Sequence, residues 1–99
     1  MTHRPSRATL LFGLLAVAPL PAAAETGALV AQGCLGCHGP NGAGMGPVPA
    51  LAGRDGAELR ALMQAFRDGT RPATIMDRIA RGYTEAEVAA AVEHFAGSR

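Results

Sequence analysis

The chain holds only two cysteines, and they stand three residues apart with a histidine directly after the second: Cys34, Leu35, Gly36, Cys37, His38. Residues at that spacing share one side of a helical turn. Both thiols therefore reach the same object, and the histidine is held close beside it. A porphyrin with two vinyl groups is such an object: each thiol forms a thioether to one vinyl, and the imidazole takes the iron from one face. Gly36, with no side chain, leaves room for the macrocycle to approach. The motif reads as the attachment site of one covalent haem c, with Cys34 and Cys37 as the thioethers and His38 as the proximal iron ligand.

The same residues serve three other chemistries. A thioredoxin-like dithiol needs strands around it, and no alternating run long enough for a strand is present. A structural zinc site needs four ligands, and beyond the motif and the N-terminal export segment only His94 remains among the histidines and cysteines to help supply them. A plain disulfide is permitted in an oxidising compartment. Haem attachment alone explains the histidine, the export segment described next and the poverty of the core together. Aromatic residues make up 4% of the chain, while Gly and Pro together take 20 of 99 positions against about 12% on average, so an insert has to supply missing interior.

The N-terminal segment reads as an address. His3, Arg4 and Arg7 precede an apolar stretch of eleven residues, Ala8 to Ala18, after which Pro19 and Pro21 lead into Ala22, Ala23 and Ala24. This is the order of parts in a secretory signal peptide. The expected organisation is a signal peptide over 1–24, cleaved after Ala24, and a single haem-carrying domain over 25–99 exported to the periplasm. A stretch of eleven residues is too short for a bilayer-crossing helix, which needs about 20, so no stable membrane anchor is expected. The chain from Glu25 carries seven Arg against eight acids and no Lys, which excludes a nucleic-acid binder built on a strong basic field.

The remaining pattern is helical. A short helix is expected over Glu25 to Gly33, running straight into Cys34. Gly39 to Gly53 is Gly/Pro-rich loop chemistry, long enough to suggest that it wraps something. Asp55 and Glu58 have capping-box spacing, and Leu59, Leu62, Met63 and Phe66 then make one apolar stripe ended by Gly69. A helical turn is expected around Ile75 to Ala80. Thr84 and Glu87 form a second capping box, before Val88, Ala91, Val92 and Phe95. The fold class is all-α.

Iron held by His38 has a sixth position. Met45 lies in the loop, only seven residues past His38, and would have to double back sharply. Met63 falls on the apolar stripe of its helix, where methionine is more often core filler. His94 falls opposite the stripe of the last helix, in solvent. Met76, after a Pro-containing segment able to carry it over the far face of the ring, is the expected axial ligand. A thioether opposite imidazole stabilises reduced iron and closes it to small molecules, so the expected task is electron transfer and not catalysis. A metal-bound histidine donates its other ring N–H to a fixed acceptor. The Pro49 carbonyl is the candidate, with Leu51 packing on the haem.

With these residues in place, the chain from Gly27 to Ala96 resembles a small class I cytochrome c. The segment Thr74 to Tyr83 is similar to that around the methionine ligand in cytochrome subunits of flavocytochrome c sulfide dehydrogenase. The resemblance implies helices packed around one covalent haem, Cys34 and Cys37 as thioethers, and His38 and Met76 as axial ligands. It also implies a partner: an FAD-containing flavoprotein subunit that oxidises sulfide and passes electrons to the cytochrome. The alternative is a free-standing monohaem carrier between other periplasmic redox proteins. The chain departs from the family pattern at Val30, near where many members place an aromatic against the last helix. That crossing is expected to rely on Phe95 and on small residues such as Gly27 or Ala31. Arg71, Arg78 and Arg81 flank Met76 and suggest a small positive rim.

Overall fold

The computed structural model describes residues 1–2, 8–18 and 22–98. The basic start of the export segment, His3 to Arg7, and its Pro19 to Pro21 break lie outside the described residues. Ala8 to Ala18 carries no helix or strand and is exposed throughout, with Leu10, Leu11, Phe12, Leu14, Leu15 and Val17 all facing solvent. Among the described residues no helix is long and apolar enough to cross a membrane.

The described residues form four α-helices: α1 over Ala22–His38, α2 over Gly56–Asp68, α3 over Met76–Arg81 and α4 over Glu85–Ala96. A short 3-10 turn over Pro40–Gly42 interrupts the long loop. Among the described residues there is no strand, and the fold is all-α. An isolated antiparallel bridge joins Met45 and Val48 inside the loop.

The first helix is longer than expected at both ends. Ala22 to Ala24 extend it backward, since alanine is the strongest helix former. It runs forward through the whole motif because nothing in Leu35 to His38 breaks it. Gly39, at φ 84°, then leaves the helical conformation at no steric cost.

Helix α2 begins on Asp55, whose side chain accepts the Glu58 N–H at 3.0 Å. The expected box is half made: the Glu58 carboxylate turns instead to the Arg54 guanidinium. The helix ends on Gly69 in the left-handed region. At α4 both halves of the box are present, Thr84 N–H donating to Glu87 Oε1 at 2.9 Å and Glu87 N–H to Thr84 Oγ1 at 3.1 Å.

Helix α1 packs on α4, and α2 packs on both α3 and α4. At the α1–α4 crossing Gly27 faces the Ala90 backbone, and Ala31 is 1% exposed. Small residues thus carry this contact, as the sequence leads one to expect. The core joins Ala31, Leu59, Val92 and Phe95, with Cys34, Leu35, Leu51 and Val88 packed against it. On α2 only Leu59 of the expected stripe is buried, and Leu62, Met63 and Phe66 are half-buried.

Candidate functional site

Helix α1 delivers the motif and the loop behind it orients the motif's last residue. His38 is 8% exposed, and its Nδ1 lies 2.7 Å from the Pro49 carbonyl oxygen. A carbonyl can only accept, so Nδ1 is the donor. This fixes the tautomer and leaves the Nε2 lone pair free for a metal. The His38 carbonyl in turn accepts the Gly44 N–H at 2.7 Å, so backbone and ring are both tethered to the same loop.

The loop holds its shape through hydrogen bonds that return to one point. The Gly42 carbonyl accepts from Leu51 N–H at 2.8 Å and from Ala52 N–H at 3.0 Å, and the Phe95 carbonyl accepts the Gly53 N–H at 2.9 Å. Gly39, Gly42, Gly44, Gly46 and Gly53 all have positive φ. Gly39 also admits the Gly44 carbonyl oxygen, which a Cβ there would meet at 2.4 Å.

Cys34 is half-buried and its Sγ–H points to the Val30 carbonyl at 3.8 Å. Burial pushes its thiol pKa up. Cys37 is exposed, and no disulfide joins the two cysteines. Nothing lies within 4 Å of where a Gly36 Cβ would stand.

Met76 opens α3 and is half-buried, on an element separate from the cluster that unites Cys34, Leu35 and Leu51. The other possible axial residues are placed elsewhere. Met45 is exposed in a tight turn, its N–H and C=O both paired with Val48 at 3.0 Å. Met63 lines a groove of about 430 Å³ between α2 and α4, with Arg60, Arg67, Val88 and Ala89, which includes none of Cys34, Cys37 and His38. His94 is exposed and edge-on to Phe95. Two of the three rim arginines have structural partners: Arg71 lies over the Phe66 ring at 5.5 Å, and Arg81 donates to the Arg67 carbonyl at 3.2 Å.

The surroundings suit a large apolar insert. Three of the six buried apolar residues are alanines, and no large side chain among the described residues is fully buried. Ile75, at 54%, and Ile79, at 40%, flank Met76 with much of their apolar surface uncovered. Among the described residues no group of three or more His, Cys, Asp or Glu could hold a bare metal ion. The donor set of two thiols and one oriented imidazole fits haem.

An all-α domain whose CxxCH histidine is oriented by a loop carbonyl defines a c-type cytochrome. Residues 21–95 match the family described as cytochrome c oxidase, cbb3-type, subunit III, and the chain belongs to this cytochrome c family. It is 31% identical over 75 residues to the cytochrome subunit of sulfide dehydrogenase from Chlorobaculum tepidum, a match covering 76% of this chain and 68% of that protein. It is 45% identical over 67 residues to the thiosulfate dehydrogenase electron acceptor of Stutzerimonas stutzeri, covering 64% of this chain but 31% of the relative. The fold matches reduced cytochrome c4 from Pseudomonas stutzeri with a TM-score of 0.72 at 28% identity, over 81% of this chain and 50% of that one. The chain thus spans about two thirds of one curated relative and half or less of the other two proteins. As a member of this family it is an electron carrier, and the family implies covalent haem c.

Sequence reasoning missed the pairing of Gly33, next to the motif, with Tyr83. Gly33 admits the Tyr83 hydroxyl, which a Cβ there would meet at 2.7 Å, and Arg67 donates to the Tyr83 carbonyl at 2.9 Å. Neither has a periodic or motif signal.

Proposed function

We propose that the chain carries one haem c, attached through Cys34 and Cys37, with His38 and Met76 as axial ligands and Leu51 packed against the ring. The observation that carries this reading is the His38–Pro49 hydrogen bond, which leaves the ring nitrogen that binds metal free. When bound, the haem iron supplies a one-electron ferric–ferrous couple. The protein's own part would be to orient His38 through the Pro49 carbonyl, to exclude water with Leu51, Ile75 and Ile79, and to hold the iron through Met76 as well as His38. Removal of residues 1–24 in the periplasm fits an apolar stretch, Ala8 to Ala18, that stays exposed.

The partner reading follows from similarity. The relative from Chlorobaculum tepidum is named a subunit of sulfide dehydrogenase, which supports an FAD-containing sulfide-oxidising subunit as electron donor. The higher identity to a thiosulfate dehydrogenase electron acceptor supports a second reading, a free periplasmic carrier. Affinity purification from the native source separates them: stoichiometric flavin with the cytochrome supports the first, and a flavin-free cytochrome the second.

Met76→Ala tests the ligand set. The variant is expected to lose the weak long-wavelength band of methionine-ligated ferric haem and to bind carbon monoxide readily when reduced. An unchanged spectrum with slow carbon monoxide binding contradicts Met76 as ligand.

A further inference from the structure

The hydrogen bond from His38 to Pro49 depends on a loop whose regular structure among the described residues is limited to the 3-10 turn over Pro40–Gly42 and the Met45–Val48 bridge, so contacts from outside must help fix the position of that carbonyl. Gly42 is buried, sits at φ 69° and stands against the Phe95 ring: an added Cβ would lie 2.6 Å from Cε1 and 2.9 Å from Cδ1. Its carbonyl holds Leu51 N–H and Ala52 N–H, two and three residues past Pro49. The Phe95 carbonyl accepts Gly53 N–H, so the last helix supports the loop by its ring at one point and by its backbone at another. Phe95 itself is part of the core with Ala31, Leu59 and Val92.

We propose that Gly42, pressed on the Phe95 ring, is a positioning residue that sets the strength of the His38 Nδ1–H to Pro49 hydrogen bond and through it the redox potential. The proposal rests on His38 being the proximal ligand. The 2.7 Å separation is at the short end of the range for such bonds, so displacement of the loop lengthens it. A weaker bond leaves the imidazole a poorer electron donor to iron. Ferric iron then loses more stabilisation than ferrous, and the potential rises.

Gly46 supplies the control. It lies in the same loop with φ 55°, yet nothing stands within 4 Å of its missing Cβ. An alanine there carries the same kind of left-handed strain without a clash. The test uses haem-loaded full chains of the native sequence, Gly42→Ala and Gly46→Ala, with two readouts: the midpoint potential, and exchange of the His38 ring N–H followed by NMR of the ferric form. Gly42→Ala is expected to raise the potential and speed ring-proton exchange about tenfold, as for loss of roughly one hydrogen bond, while Gly46→Ala moves neither. Should Gly42→Ala not load haem, Phe95→Leu removes the ring edge from the other side and is expected to shift both readouts in the same direction. Equal values for the Gly42 or Phe95 variant and the Gly46 variant overturn the proposal. His38 ring signals without paramagnetic shift in the native protein overturn the ligand reading itself, which is a separate outcome.

Discussion

Gly27 meets the backbone of Ala90 where α1 crosses α4, so closely that a Cβ at Gly27 would lie 2.5 Å from the Ala90 carbonyl oxygen. Backbone cannot give way as a side-chain tip does. Gly27→Val is therefore expected to force the helices apart and to cost about 1–3 kcal/mol, the usual range for overpacking. Guanidinium unfolding of the haem-loaded protein measures it, and an unchanged midpoint would mean that the crossing is not tight.

Gly33 and Tyr83 form a second close pair, and here the obstruction is one atom. The Cβ of an alanine at 33 would meet the hydroxyl oxygen at 2.7 Å but the ring carbon beneath it only at 3.9 Å. Gly33→Ala is expected to push aside the Tyr83 hydroxyl, a side-chain tip that can yield, at a cost of about 1 kcal/mol that offsets the roughly 1 kcal/mol alanine gains over glycine inside a helix. In a Tyr83→Phe background the clash is gone and alanine at 33 should stabilise, giving a coupling of about 0.5–1 kcal/mol in a double-mutant cycle. Additive effects would contradict the contact.

The capping box gives a pH dependence with a definite sign. Glu87 accepts from the Thr84 backbone and receives further help from the Thr84 side chain, and these hold its pKa below the ordinary value. A lowered folded-state pKa contributes stability above the unfolded value, about 4.3, and loses it as pH falls through the folded value. Comparison with Glu87→Gln should show a difference near neutral pH that shrinks on acidification. A difference that grows in acid would reverse the assignment.

Much of this arrangement is readable from residue order, and the limits have physical causes. Both caps of α2 and α4, the stop at Gly69 and the four-helix content follow from local signals that need no tertiary information: Asp55, Thr84 and glycine placement. The second half of the Asp55 box fails because Arg54, one residue earlier, competes for the Glu58 carboxylate. The motif announces itself because its chemistry demands a fixed spacing, and the Pro49 carbonyl was reachable because a ligating histidine needs an acceptor. The roles of Gly42 and Gly33 are not legible, since each is defined by an aromatic ring about 50 residues away in the chain. Gly/Pro-rich loop composition says that turns exist and leaves open what they enclose.

The central claim is that Cys34 and Cys37 are both bonded to a porphyrin which completes the interior and carries the electron. Acidified organic solvent applied to the protein purified from the periplasm tests it most directly. Colour that stays with the polypeptide, with a mass equal to the chain from Glu25 plus one haem, is the predicted result. A colourless protein, or colour that passes into the solvent, would contradict it.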